Sequence, residues 1–522
     1  MTLAVNCGAQ WIREYLTTPP KDAWYDFERE YLMDLPITDL KKASSFVFST
    51  AQLLNASTNF IIGDVVAVLV TIRDGYDQRK HKGGDEITAW FNDIQRDSKM
   101  AAKVTDFNNG TYLISSVLPW QGTLRLSIEL TYSREFFMAL LTSHLLIKAF
   151  QQTIAGFANT KANESTPCFN TPVLPGYNAS EVCNLTSLNG SPWFCGLPVK
   201  KELTCQDYKW TRLLFNNADA PLLPAELSIL RDRRYGLIGV KEPILIDVLA
   251  PSSSSQDKQM RIVPLIPCHQ VPARKTWEQE ESAGYFYADI GWVSLQCYPG
   301  HDFDAACRKD VEILFLGDSN LRGHYYMAAD AIPCDHILKA ASEKWHKPLL
   351  CLDKENNVTL RWLPHSNPFK TYATQWADPL NDLIPSNVAI DNIPTTGRYI
   401  VVLNHYLHIT GQHISAYVDK MITIKNSLLN AFARNPSITV VLQGPHIVTR
   451  EGSYRGGDMM IRFINRIHMD VFKELRDKVL YYPVLDMTIA SRNNDTHPEA
   501  YVRREWTRYL FALMCNRLNG SS

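Results

Sequence analysis

The chain has 522 residues, 45% of them apolar, which suffices for several buried cores and implies two to four domains. Lys+Arg 53 against Asp+Glu 54 leaves a formal charge of −1, so no net field draws the chain to nucleic acid or to an anionic membrane surface, and neither partner is expected.

The opening, MTLAVNCGAQWIREYL, places Arg13 and Glu14 where a signal peptide or spanning helix needs unbroken apolar sequence. We read residues 1–43 as an N-terminal extension and expect the natural amino terminus to lie upstream. From Ser44 to about 135 the text alternates strands with turn formers. FVFS is followed by VVAVLVTI (65–72), YLISSVL (112–118) and LRLSIELTY (124–132), separated by RDGYD, KGGDE and FNNGT. This pattern predicts a β-sandwich of about 90 residues.

Residues 136–307 read as an irregular connector. The most apolar run, FFMALLTSHLLIKAF (136–150), is interrupted by His144 and Lys148 and is shorter than the roughly 20 residues that cross a bilayer, so no spanning segment is expected. Cys168, Cys183, Cys195 and Cys205 crowd one polar stretch, where disulfides would staple what apolar burial alone does not hold. No paired CxxC or HxxxH spacing argues for zinc, and no metal is expected. Eleven cysteines leave at least one thiol free, assigned to Cys7. Trp210, Tyr285, Tyr287 and Trp292 suggest that the connector packs on a neighbour, with simple core filling the weightier alternative.

After Cys307 the rhythm changes. VEILFLGDS (311–319), YIVVLNHY (399–406), SITVVLQGP (437–445) and VLYYPVLDMT (479–488) are short continuous apolar runs, as in strands buried on both faces. Helical periods at 411–434 and about 457–477 separate the later ones, which predicts a doubly wound α/β domain over 308–518 with its chemistry at the strands' C-terminal ends.

ILFLGDSN (313–320) delivers a buried strand into Gly-Asp-Ser and then a helix. Ser319 would stand on the strand-to-helix turn, Gly317 permitting the tight backbone, Asp318 capping the helix, and the amides after the serine facing an oxyanion. A serine hydroxyl needs a base and a group to orient it. The loop ASRNNDTHPEAY (490–501) supplies His497 with Asp495 two residues before it, and Pro498 and Glu499 open a final helix toward Cys515. A capping role for the Gly-Asp-Ser turn and a purely structural histidine are the bland alternatives.

GDSNLR (317–322) and the late Asp/His pair before Pro498 resemble the PC-esterase branch of the SGNH/GDSL hydrolase superfamily. The run VTDFNNGTYLISSVLPWQG (104–122), placed ahead of the esterase, is similar to the neurexophilin and PC-esterase domain (NXPE) family. The resemblance implies a multidomain protein: an immunoglobulin-like, neurexophilin-type sandwich (44–135), a cysteine-rich connector packing on the esterase (136–307), and an α/β/α SGNH-hydrolase-like domain with a parallel sheet (308–518). It also implies passage through the secretory pathway, outside the cell or in the Golgi lumen, and acyl chemistry on glycans or acylated small molecules. No cofactor is expected beyond an acyl donor, acetyl-CoA or an acetyl ester. Carried across, Ser319 is nucleophile, His497 base and Asp495 its orienting acid. Arg322 serves the oxyanion or the acyl group. The usual Asp-x-x-His spacing is broken, since position 494 is asparagine, and Asp486 stands in reserve as the acid. Asn404 and His408 are the candidates for the rest of the oxyanion hole. The other reading is a non-catalytic secreted binding glycoprotein, with the esterase fold as scaffold and a cell-surface protein partner for its sandwich.

Nine Asn-x-Ser/Thr sequons fit a secretory chain. Asn55, Asn109, Asn163, Asn178, Asn184 and Asn357 are the glycosylation candidates. Pro192 follows the sequon at Asn189, Asn519 lies at the end, and Asn494, beside His497, is expected to stay unmodified because a glycan there would crowd any substrate.

Overall fold

The computed structural model describes Thr17 and residues 23–514, apart from 56, 58, 151–152, 175, 214–221, 233–235, 240–242, 251–261, 265, 300–308, 340–346, 366–382, 409–412 and 449–459. Cys7, Cys307, Cys515 and Asn519 lie outside the described residues.

Two sheets share one core in the N-terminal half. The first is four-stranded, built from Ser44–Leu53, Val65–Asp74, Thr111–Val117 and Lys103–Asp106. In Val65–Asp74 the buried side chains Val66, Val68, Val70 and Ile72 alternate with partly exposed ones, the period-2 signature of a half-buried strand. They meet Ile87, Ala89 and Phe91 of Glu86–Asp93 and Leu124, Leu126, Ile128 and Leu130 of Gly122–Tyr132 in the second sheet.

That second sheet has eight strands, and residues 44–135 do not complete it. Gly236–Leu237 and Ile244–Leu249 pair with Gly122–Tyr132, and the hairpin Gly284–Tyr287/Gly291–Ser294 pairs with Lys99–Ala101. The stretch read as an irregular connector thus supplies strands to the sandwich itself. Along the hairpin, Tyr285, Tyr287 and Val293 enter the sandwich core, whereas Phe286 and Trp292 enter the core of the C-terminal domain. One alternating pair of strands therefore joins two cores, which is why this stretch is so aromatic. A third, five-stranded sheet spans 153–213, stapled by Cys168–Cys195 and Cys183–Cys205. Cys268–Cys297 and Cys334–Cys351 complete four disulfides among the described residues, bonds that persist in oxidising compartments and fit a secreted or lumenal protein. The apolar run at 136–150 forms the helix Arg134–Phe150, with Phe136, Phe137, Leu140 and Leu141 buried. Among the described residues, no helix is long and apolar enough to cross a membrane.

The C-terminal sheet runs in the order Asp335–Leu338, Leu349–Asp353, Val358–Pro364, Val311–Gly317, Arg398–Asn404, Ile438–Gln443, Val479–Tyr482. The last five are mutually parallel, and the first two are an antiparallel edge that the apolar runs did not announce. Ile313 and Phe315 point into one core with the helices Ser319–Ala331 and Ala500–Met514. Leu314 and Leu316 point into another with Ile414–Arg434 and Ile461–Val471. Helices therefore cover both faces, and a strand buried on both faces has no polar alternation to show. The run read as a strand over 479–488 breaks at Pro483, and Leu485–Ala490 is a short helix; proline has no N–H for the ladder.

Candidate active site

Val311–Gly317 lies between Val358–Pro364 and Arg398–Asn404. The chain leaves it first toward one edge of the sheet and then returns to the other. This is the switch point of a doubly wound sheet, where the turns diverge and leave a crevice at the strands' C-terminal ends. Gly317 closes the strand. A Cβ there would sit 1.9 Å from the carbonyl oxygen of its neighbour Asn404, so only glycine lets the two strand tips approach.

Asp318 is the N-cap of Ser319–Ala331, its carboxylate accepting the Asn320 amide at 2.8 Å. The Trp362 indole donates to the Asp318 carbonyl at 3.2 Å, and the His365 amide to the Gly317 carbonyl at 3.2 Å, so the neighbouring strand fixes the turn. Burial pushes the Asp318 carboxyl up to about 6, against backbone amides that pull it down. This cap changes one expectation: because the Asn320 amide is bound to Asp318, it is not free to face an oxyanion above Ser319.

Val479–Tyr482 is an edge strand three places from the strand that carries Ser319, roughly 14 Å at the usual strand spacing. The loop after it crosses that gap. Leu485–Ala490 turns the chain back, and the Asn493 side chain then donates to the Ile447 carbonyl at 2.6 Å and to the Asp495 carbonyl at 2.8 Å. His446 Nε2 meets the Thr496 carbonyl at 3.1 Å. Burial lowers the His446 ring to about 4, so it is neutral and its Nε2 carries the donated proton. Held by residues beyond the tip of Ile438–Gln443, the loop brings His497 Nε2 to 2.7 Å from Ser319 Oγ. The helix Ala500–Met514 returns beside Ser319–Ala331, where buried His324 bridges Thr507 at 2.8 Å and Gln443 at 3.0 Å. Sequence reasoning passed over His324, His446 and Asn493. For His446 the one signal was position, three residues past Ile438–Gln443 where Ser319 stands two past Val311–Gly317.

His497 is accessible to solvent, yet its surroundings lower its proton affinity below the ordinary imidazole value. Desolvation contributes most, followed by the positive charge of Arg322; Asp495 opposes both, and Arg503 adds a smaller lowering. The ring is therefore neutral near pH 7 and able to accept a proton. The Asp495 carboxylate accepts the backbone amide of His497 at 3.2 Å, on the same stretch of loop as the ring its charge acts on. Arg322, desolvated, lies 5.5 Å from the Trp362 ring centroid. Asn404 is buried at the strand tip beside Gly317, and its side-chain amide has no hydrogen-bond partner among the described residues. The His408 ring lies tilted against that of His365, centroids 5.0 Å apart, both beyond strand ends.

Asp486, the reserve acid, is held elsewhere. It lies in the helix Leu485–Ala490 rather than at a strand end, and its carboxylate accepts the Ala283 amide at 2.7 Å. The cleft it lines, with Lys103 and Tyr481 among its walls, contains neither Ser319 nor His497. Of the sequons, Asn109, Asn163, Asn178, Asn184, Asn357 and Asn494 are exposed, Asn55 is half-buried, and Asn189 is buried. No group of metal-ligating side chains occurs among the described residues.

Ser319 and His497 both lie within a segment that matches a family model. Residues 292–515 match the model of the NXPE family member 4-like C-terminal domain, so this segment of the chain is similar to the C-terminal domains of that family.

Proposed function

We propose that this protein is a serine-dependent acyl-transfer enzyme of the SGNH type, transferring or removing O-acetyl groups on glycans through an acyl-serine intermediate, in the secretory pathway. The observation that carries the reading is the 2.7 Å contact between Ser319 Oγ and a neutral His497 Nε2, across a large sequence gap and at the switch point of the sheet. His497 takes the Ser319 proton as the oxygen attacks the ester carbonyl. The tetrahedral oxyanion meets the Arg322 guanidinium and the Asn404 amide, donors that need not reorganise during the step. Collapse expels the alcohol or thiol, which leaves with the proton held on His497. A sugar hydroxyl or water then gives its proton to His497, attacks the acyl-serine, and releases acylated glycan or free acid as Ser319 is reprotonated. Asp495 stabilises the imidazolium that forms in each half.

Purified protein incubated with an acetyl donor, an acetyl ester and candidate glycans tests the reading. Ser319→Ala should abolish turnover, whereas equal turnover by variant and wild type would leave the non-catalytic binding glycoprotein as the better account.

A further inference from the structure

On the second sheet of the sandwich, Thr88 and Trp90 of Glu86–Asp93 share a face with Glu129 of Gly122–Tyr132, because Thr88 pairs directly with Glu129 and Trp90 with Ser127. Their neighbours Ala89, Phe91, Ile128 and Leu130 fill the sandwich core, so Thr88, Trp90 and Glu129 point outward. Outward residues of a sandwich normally meet water, but here Trp90 is 4% exposed and Glu129 6%. Arg492, from the loop that carries His497, covers both. Its Nη1 donates to the Glu129 carboxylate at 2.9 Å, and its guanidinium carbon lies 3.9 Å from the Trp90 ring centroid.

The backbone of Arg492 adds a second, independent observation. It closes the helix Leu485–Ala490 with φ of +56°, its amide reaching the Ile489 carbonyl while the Asn493 amide reaches that of Thr488. A left-handed residue after a helix is ordinarily glycine, since a Cβ is disfavoured there. A strained arginine at such a position is held by its side chain, and that side chain is gripped by the sandwich. Five residues on stands His497, with Asn493 and Asp495 between.

We infer that Trp90 and Glu129 make the N-terminal sandwich a positioning element for His497: through Arg492 they fix the start of the loop whose far end presents the imidazole to Ser319. The inference rests on the reading of Ser319 and His497 as nucleophile and base. It assigns the sandwich a part in the reaction itself, beyond any partner it binds, and makes Arg492, Trp90 and Glu129 positioning residues that touch no substrate.

The test uses the full chain and a fluorophosphonate probe, which labels a serine only when a base activates it. Arg492→Gly relieves the left-handed backbone while removing the clamp. The expected result is a cooperative melt that shows the chain still folded, a labelling rate of Ser319 lower by about 10- to 100-fold, as misplaced catalytic groups produce, and an acid limb of the rate moved to higher pH as His497 loses its desolvated setting. Arg492→Lys, which keeps the charge but not the planar guanidinium over Trp90, should recover part of the rate. Glu129→Gln, which leaves Arg492 in place, should lower the rate in the same direction and covers the case in which Arg492→Gly does not fold. Wild-type labelling rates and pH limbs in both Arg492→Gly and Glu129→Gln would overturn the inference while leaving the nucleophile intact. Failure of the wild-type protein to label at Ser319 would instead overturn the nucleophile reading, and the inference with it.

Discussion

Gly317 and Gly323 flank Ser319, one closing the strand before it and one inside the helix after it. An alanine at 317 would put its Cβ 1.9 Å from the Asn404 carbonyl oxygen, when such contacts essentially never fall below 3.0 Å. One strand must therefore move by more than 1 Å. The atom in the way is backbone, and Arg398–Asn404 is hydrogen-bonded on both sides, to Val311–Gly317 and to Ile438–Gln443, so it cannot yield as a side chain would. Overpacking of this kind costs ~3 kcal/mol or more, which in a domain of this size lowers the melting temperature by about 6–12 °C. Gly323→Ala meets nothing within 4 Å in the helix Ser319–Ala331 and should stabilise by roughly 0.5–1 kcal/mol, because alanine loses less backbone entropy on entering a helix. Differential scanning calorimetry of the two variants beside the wild type measures both signs, and fluorophosphonate labelling shows whether the misplaced turn still presents Ser319. Gly317→Ala melting within about 1 °C of wild type would refute the claim that the Asn404 approach requires glycine, and a lower melting temperature for Gly323→Ala would refute the gain expected in the helix.

Three further outcomes follow from the charges and cross-links. Ser319 labelling should hold near neutral pH and decline on acidification with a midpoint below the ordinary histidine value of roughly 6.5, because desolvation and Arg322 lower the His497 affinity for a proton. Arg322→Gln should move that midpoint up and Asp495→Asn should move it down, and shifts of one sign would contradict the charge assignment. Asp318 has a folded-state pKa of about 6, above its ordinary 3.8, so the stability it contributes is full below pH 4 and is lost as pH rises through 6. Asp318→Asn, which keeps an acceptor for the Asn320 amide, should gain melting temperature on the wild type across that window; parallel curves would count against the buried carboxyl. Cys183–Cys205 closes a 22-residue separation, for which the chain-entropy model gives about 3 kcal/mol. Replacing both by alanine should speed proteolysis within 153–213, and unchanged cleavage would show that the third sheet holds without this staple.

What sequence alone determined here is local. A strand of apolar residues entering Gly-Asp-Ser defines its own turn, because Asp318 caps the helix within two residues of itself, whereas the approach of Asn404 that requires glycine at 317 is tertiary. The late loop carrying Asp495 and His497 was legible for the same reason. Only the tertiary structure decided which of these groups meet. Three strand spacings separate the edge strand from the one carrying Ser319, and the chain closes them through His446 and Asn493, whose partners are set by crossing loops rather than by spacing. The same fold bound the Asn320 amide to Asp318, drew Asp486 to Ala283, and took strands from 236–249 and 284–294 into the sandwich. Strand pairing is a long-range match that periodicity cannot specify. Nor does alternation reveal that Trp90 and Glu129 are covered: the pattern says which residues point outward, and only docking determines whether outward means water.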